Sequence, residues 1–86
     1  MPPQNPALSA EQRRALALLA RLPRGMFEDL LVVAHDFDRG MIASLVDGGL
    51  ATAQREVVTA PGHTTIEVVR IRISDAGRRA LEDDWI

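Results

Sequence analysis

Residues 70–81 read RIRISDAGRRAL, and the spacing of their apolar side chains changes at Ser74. Up to Ile73 the apolar residues alternate with arginine, which is the period of a strand with one buried face. Ser74 is a preferred N-cap residue, and Asp75 suits the positive end of a helix dipole. We therefore predict a strand that ends at Ile73 and a helix from Asp75 to about Asp84. Three side chains of that helix are expected to face the core: Ala76, Ala80 and Leu81.

The residues before this helix predict an antiparallel hairpin. Residues 50–59 and 64–73 are both strand candidates, and β-branched side chains are densest in the second run. Between them, Pro61 followed by Gly62 is typical of a type II turn or a slightly longer loop. Two strand-like runs joined in this way favour a hairpin.

The two faces of the second strand differ in chemical character. Val69, Ile71 and Ile73 share one face, which we expect to meet the core, and Arg70 and Arg72 share the other. Two more apolar residues lie on the arginine face unless a bulge shifts the alternation, and the sequence leaves that point open: Ile66 and Val68.

Three amphipathic helices are predicted before the hairpin. The first runs from residue 10 to about residue 21, with Ser9 and Gln12 as a capping box and Pro23 after its end. Residues 24–26 form a connector that could hold one or two strand residues. The inward residues expected are Ala15, Leu16, Leu19 and Leu22 in the first helix, Phe27, Leu30, Leu31 and Ala34 in the second, and Met41, Ile42, Leu45 and Val46 in the third.

The third helix has a signal at each end. Asp38 can cap its start, and Gly48-Gly49 ends it because glycine tolerates the left-handed conformation that follows many helices. Gly49 would let the chain turn into the hairpin, and Gly77 would let the last helix pack closely on the returning strand.

Length and composition fit one small domain. The 86 residues are too few for two domains, and a 47% apolar content is normal for a folded chain. We expect residues 1–8 to be a flexible segment and residues 9–86 to be the domain. The absence of cysteine excludes disulfides and thiolate metal sites. The longest apolar run, residues 30–34, is too short to span a membrane, and no signal-peptide pattern is visible, so a cytoplasmic protein is expected.

Two stretches resemble the winged helix-turn-helix domains of bacterial MarR- and PadR-type transcription regulators. Residues 42–50, IASLVDGGL, are similar to the end of a recognition helix that leads into the first wing strand. Residues 70–81 are similar to the segment where the second wing strand returns to the core, with Ser74 in place of the usual threonine. The resemblance covers roughly residues 9–84. It implies an α+β fold, with a three-helix core, a two-to-three-stranded antiparallel wing and a C-terminal helix.

The resemblance also implies that the third helix enters the major groove of double-stranded DNA. Arg39 and Ser44 are its candidate contacts. A net charge of −2 and the third helix's two aspartates oppose DNA binding, since phosphate neutralisation drives most of the affinity. We therefore expect the wing to do most of the binding. Its candidate contacts are Arg55, His63, Arg70 and Arg72. The alternative for the arginines is a solvated sheet face on which they pair with Glu56 and Glu67 across the strands.

The alternative is a protein–protein interaction module on the same scaffold, acting as a homodimer or with another protein. The net negative charge and the scarcity of basic side chains on the third helix favour this alternative. Trp85 is a residue type that anchors interfaces, although it could instead fold back onto the small core. The candidate interface residues are Ile66, Val68, Trp85 and Ile86.

Nothing in the sequence indicates an enzyme. Glu28-Asp29 point to different sides of a helix, so they do not form a catalytic carboxylate pair. His35 and His63 are far apart and lack cysteine partners, which makes a metal site improbable. No nucleophile, phosphate-binding or dinucleotide motif is present. No cofactor, catalytic residue or small-molecule ligand is implied, because the long ligand-sensing helices of full-length regulators do not fit in this chain.

Overall fold

The computed structural model describes residues 8–83, which form four helices and one three-stranded antiparallel sheet of an α+β fold. Strand order in the sheet is β1-β3-β2. This succession of helices and strands was predicted from the sequence and is confirmed, with boundaries that differ by a residue or two. The elements are α1 Ala10–Ala20, β1 Met26–Phe27, α2 Glu28–Val33, α3 Arg39–Asp47, β2 Ala51–Thr59, β3 Thr65–Ile73 and α4 Asp75–Asp83.

Three predicted helix starts are confirmed by side-chain caps. The Ser9 hydroxyl accepts a hydrogen bond from the Gln12 backbone N–H at 3.0 Å, and the Gln12 side chain accepts one from the Ser9 N–H at 2.9 Å. The Asp38 carboxylate accepts from the N–H of Met41 at 3.0 Å. Ser74 does the same for the first turn of α4. Each cap pairs a backbone donor that the helix itself leaves unpaired.

One aliphatic core lies between the first three helices and the inner face of the sheet. Its six largest fully buried side chains are leucine or isoleucine, as expected for a chain with three aromatic residues. α1 and α3 contribute most of it because both have apolar residues at helical spacing. The buried residues are Ala15, Leu16, Leu19, Leu31, Phe37, Ile42, Leu45, Ala51 and Ile71.

Three predicted inward residues are wrong. Leu30 is 49% exposed, and Ala34 and Ala76 are also exposed. Phe27 belongs to β1, so α2 starts one residue later than predicted. Leu31 then faces the core and Leu30 faces solvent. In α4 the inward position next to Ala76 is taken by the buried Gly77, which rotates Ala76 toward solvent.

Two glycines allow backbone segments to approach each other closely. A Cβ atom on Gly77 would overlap the carbonyl oxygen of Leu50 and lie 2.8 Å from the Ile73 side chain, so α4 packs closely on the end of the returning strand, as predicted, and also on the residue before β2. A Cβ atom on Gly25 would overlap the carbonyl oxygen of Ile71, and Gly25 also has a left-handed φ of +72°. Gly25 thus lets the connector lie against β3. This role of Gly25 was not predicted, because the contact joins residues far apart in the chain.

The hairpin is regular along its whole length. Its register runs without interruption from Ala51 opposite Ile73 to Thr59 opposite Thr65, so no bulge shifts the alternation. Ile66 and Val68 therefore share the outer face with the arginines, which settles the point that the sequence left open. β1 pairs only with residues 70 and 71 of β3, so none of the strands within residues 8–83 pairs with the rest of that edge of β3.

Some expectations concern residues outside 8–83. Trp85 and Ile86, two of the four interface candidates, lie outside the described residues, as does most of the predicted flexible segment. Among the helices that the structure does describe, none combines the length and apolar character needed to cross a bilayer.

Candidate nucleic-acid interface

The N-terminus of α3 carries a charge that is already paired. Arg39 contacts the Glu28 carboxylate through Nη1 at 2.8 Å and the Asp29 carboxylate through Nη2 at 3.3 Å. Both acids belong to the first turn of α2. Residues 28–47 contain five acidic residues and this single arginine. The surface around α3 is therefore acidic, which opposes close approach of a phosphate backbone.

Ser44, the second candidate on α3, is held by contacts within the protein. Its hydroxyl donates to the Met41 carbonyl at 2.5 Å and accepts from Nε2 of Gln12 on α1 at 3.5 Å. The other exposed position near the middle of the helix is Ala43, which has no polar group. The central surface of α3 thus offers few groups that could read base edges.

Arg70 is enclosed by three elements. Its Nε and Nη2 donate to the two carboxylate oxygens of Glu56 at 2.6 and 3.0 Å, and its Nη1 donates to the Arg24 carbonyl at 3.0 Å. The guanidinium carbon lies 4.6 Å from the centre of the Phe27 ring. Only 21% of the side chain is exposed. Arg70 therefore joins the strands, and its charge is used inside the fold.

The contact with Arg70 also lowers the pKa of the Glu56 carboxylate. The hydrogen bonds from Arg70 hold the pKa of Glu56 below its ordinary value of 4.5, with smaller contributions from the positive charges of Arg70 and Arg72. Partial loss of hydration acts in the opposite direction and is outweighed. Glu56 is therefore ionised at neutral pH and fully engaged with arginine.

The remaining candidates do not share one surface. Arg72 lies opposite Thr52 on the outer face of the sheet, whereas Arg55 lies opposite Val69 and so points to the other face. His63 is exposed in the turn with a left-handed φ of 67°. The structure thus places the six candidate DNA contacts at separate points along α3 and both faces of the hairpin.

The outer face of the hairpin carries an apolar stripe. Val58 lies opposite Ile66, and Val68 follows on the same face. Ile66 is 50% exposed, and the two valines are half-buried. We call these three residues the hairpin patch. On the opposite face Val57 is 69% exposed, so this end of the hairpin presents apolar side chains in both directions.

Exposed arginines follow the end of α1. Arg21 is the C-cap residue of α1, and Arg24 lies in the connector. Nη1 of Arg78 on α4 donates to the Ala20 carbonyl at 3.5 Å. Residues 12–27 contain four arginines and no acidic residue, in a chain that is acidic overall.

Comparisons with known proteins add no family to this description. No protein-family model, no curated protein and no solved structure matches the chain. Within residues 8–83, no three histidine, aspartate or glutamate side chains are grouped as a metal site would require. The functional interpretation therefore comes from the hairpin patch and the acidic surface of α3.

Proposed function

We propose that the chain is a protein-interaction module on a winged-helix scaffold, and that it pairs with a second copy of itself through the hairpin patch. The observation that carries this proposal is the apolar stripe of Val58, Ile66 and Val68, in which Ile66 is 50% exposed and the two valines are half-buried. The winged-helix assignment is supported by the order of the elements and by the close packing of α4 on the end of the hairpin at Gly77.

The end of the hairpin lacks a core of its own. Residues 61–67 are all exposed, so the strands there are covered on neither face by the rest of the domain. A two-stranded ribbon in water is marginally stable, and exposed β-branched stripes are typical of surfaces that become covered. Burial of Ile66 and its neighbours in a partner surface would supply the apolar contact that this end lacks.

The charges beside the patch favour a second copy as the partner. Glu56, the acid next to the stripe on the outer face, is paired with Arg70 within the same chain, and Glu67 lies opposite Val57 on the other face. The apolar stripe of one copy can pack against the same stripe of a second copy that is related to it by a two-fold axis. The unpaired edges of β2 and of residues 65–69 of β3 leave room for a second hairpin alongside.

The experiment is sedimentation velocity of the chain over a wide concentration range. We expect a dimer that Ile66→Glu converts to monomer while the circular dichroism spectrum is unchanged. Val33→Glu is the matched control, because Val33 is an apolar residue on α2 that is 81% exposed and outside the patch. A wild-type chain that stays monomeric at high concentration, or equal loss in both variants, would contradict the proposal.

DNA binding through the hairpin is the second candidate function. Arg55 and Arg72 favour it, since both are exposed and neither forms an ion pair with any residue of the described range. The ion pairs of Arg39 argue against a mode led by α3, and the ion pair of Arg70 leaves Arg55 and Arg72 as the arginine contacts. This candidate predicts that Arg55→Ala and Arg72→Ala each weaken binding to duplex DNA, with the same loss for unrelated sequences. No binding at low salt would remove it.

A further inference from the structure

We propose that the exposed apolar face of α2 binds a basic amphipathic helix of another protein. Leu30 is 49% exposed and Val33 is 81% exposed, although both side chains are large and apolar. They are two of the four large apolar residues that are exposed within residues 8–83, and the helix that carries them has only six residues. Contiguous apolar side chains at a surface are typical of interaction sites.

The helical backbone places the apolar residues of α2 side by side. The Ala34 N–H donates to the Leu30 carbonyl at 2.9 Å, so these two residues lie one turn apart. Val33 is three residues from Leu30 and is therefore its neighbour on the same face. We call Leu30, Val33 and Ala34, which are all exposed, the α2 face. The other side of the helix is fixed by Leu31, which is fully buried in the core.

Acidic residues lie at both ends of the α2 face. Asp29 is in the first turn of the same helix, and its side chain is 72% exposed. Asp36 is exposed in the segment between α2 and α3. Residues 28–38 contain four acids and no lysine or arginine, and Arg39 pairs with both acids of the first turn. The surface therefore keeps a net negative charge when these ion pairs are counted.

The charges around the α2 face indicate the chemistry of its partner. Acids beside an apolar centre attract lysine and arginine and repel phosphate groups. A second α2 face packed against the first would bring acids against acids, so the face does not suit pairing with itself. Residues 1–7 and 84–86 contain no lysine or arginine, so these segments lack the charge that the face favours. A different protein with basic side chains beside an apolar stripe matches both features.

The shape of the surface favours a helix as the bound element. An α-helix pairs its backbone groups internally, so α2 cannot accept an added strand as the edge of a sheet can. Side chains at i, i+3 and i+4 instead form a ridge that packs between the ridges of a second helix. Because only three apolar residues form its centre, the contact is small. We expect a dissociation constant in the micromolar range, to which the charges contribute.

The α2 face is separate from the hairpin patch. β1 leads directly into α2 and pairs with residues 70 and 71 of β3. Ile66 lies five residues from Ile71 along that strand, or roughly 17 Å away. The two surfaces can therefore be tested independently, and this inference does not depend on the hairpin dimer.

The test uses a synthetic peptide of about five helical turns, with leucine and lysine spaced so that the helix has one apolar and one basic face. Binding of the fluorescent peptide to the full chain is measured by anisotropy at low and high salt. The site is mapped from the amide chemical shifts of the chain. We expect binding that weakens as salt rises, with shifts concentrated in residues 28–38. A peptide of the same composition in shuffled order should bind about tenfold more weakly, because its leucines no longer share one face.

Val33→Ser and Val57→Ser form a matched pair of variants. Val33 on α2 is 81% exposed, and Val57 on the hairpin is 69% exposed, so both variants should keep the wild-type circular dichroism spectrum. Val33→Ser should weaken peptide binding about fivefold, because it removes apolar area from the contact. Val57→Ser should leave peptide binding unchanged.

Asp36→Asn removes one acid beside the α2 face without straining the backbone. Asp36 has a left-handed φ of 60°, a conformation that asparagine also adopts. The variant should weaken peptide binding about twofold and make it less sensitive to salt. Glu67→Gln is the control, because Glu67 is an exposed acid on the hairpin and should not affect the peptide.

Three results would overturn the proposal: no binding of the peptide at low salt, equal weakening by Val33→Ser and Val57→Ser, or chemical shifts confined to the hairpin. A dimer that Val33→Ser converts to monomer would also overturn it, since a second copy would then cover the α2 face. A chain that sediments as a monomer and still binds the peptide at α2 would contradict the hairpin dimer and support this inference.

Discussion

Arg70 and Glu56 form a two-pronged ion pair across the hairpin, with Nε and Nη2 of the arginine on the two carboxylate oxygens at 2.6 and 3.0 Å. The third nitrogen binds the Arg24 carbonyl, and the plane of the group lies over Phe27. One side chain therefore joins β2, β3, β1 and the connector. The parallel arrangement of two N–H donors on two oxygens is specific to guanidinium, and lysine cannot reproduce it.

Arg70→Ala should lower the thermal unfolding midpoint clearly, because it removes the contacts to Glu56, the connector and the Phe27 ring at once. Arg70→Lys keeps the charge but not the fork, so it should recover only part of the loss. Arg55→Ala is the control, since Arg55 is exposed on the other face of the hairpin and should leave the midpoint almost unchanged. Equal midpoints for the two alanine variants, followed by circular dichroism, would show that the ion pair adds nothing.

The Glu56 contact also predicts a pH dependence of stability. The pKa of Glu56 is lower in the folded chain than its ordinary value of 4.5, chiefly through the hydrogen bonds from Arg70. Its contribution is therefore complete above about pH 4.5 and is lost as the pH falls through the folded-state pKa. Urea unfolding at a series of pH values should show this acid-side loss in the wild type and a smaller one in Glu56→Gln. Parallel curves for the two proteins would contradict the assignment.

Features that depend on neighbouring residues were predictable from the sequence. The caps at Ser9, Asp38 and Ser74 each bind a backbone N–H three residues along the chain, so local pattern was enough to find them. The period of the hairpin residues likewise indicated its two faces. The phase of the six-residue α2 was predicted wrongly at Leu30, because a short helix offers too few repeats to fix its rotation.

The charge pattern of the candidate site was predictable only in part. Pairing of wing arginines with glutamates across the strands was one of the two alternatives that the sequence left open, and the Arg70–Glu56 ion pair confirms it for Arg70. The pairing of Arg39 with acids 10 and 11 residues away was not predicted, and neither was the hydrogen bond from Arg70 to a carbonyl 46 residues away. These contacts depend on how helices and strands meet, which residue spacing does not encode.

Ser74→Ala should destabilise the fold by about 1–2 kcal/mol. Ser74 links two chain junctions, because its hydroxyl accepts from the Gly77 N–H at 3.0 Å and donates to the Gly49 carbonyl at 2.5 Å. Ser74→Thr keeps a hydroxyl for both bonds and should stay near the wild type. Ser9→Ala removes a more exposed cap and should have the smaller effect. The measurement is urea denaturation with the slopes compared, and a Ser9→Ala loss as large as that of Ser74→Ala would refute the second role of Ser74.

Gly25→Ala and Gly62→Ala separate two reasons for glycine in this fold, a left-handed φ and the close approach of another backbone segment. Both residues have a left-handed φ, +72° and +87°, and alanine in that conformation costs about 1 kcal/mol. Gly62 has no atom within 4 Å of its missing Cβ, so Gly62→Ala should show only this conformational loss. A Cβ on Gly25 would overlap the Ile71 carbonyl oxygen and press on Arg72.

Gly25→Ala should therefore lose a further ~1–3 kcal/mol, since backbone cannot move aside as a flexible side chain can. Denaturant unfolding of the two variants gives the comparison. Equal stability losses in the two variants would mean that the connector does not lie against β3 as closely as Gly25 allows.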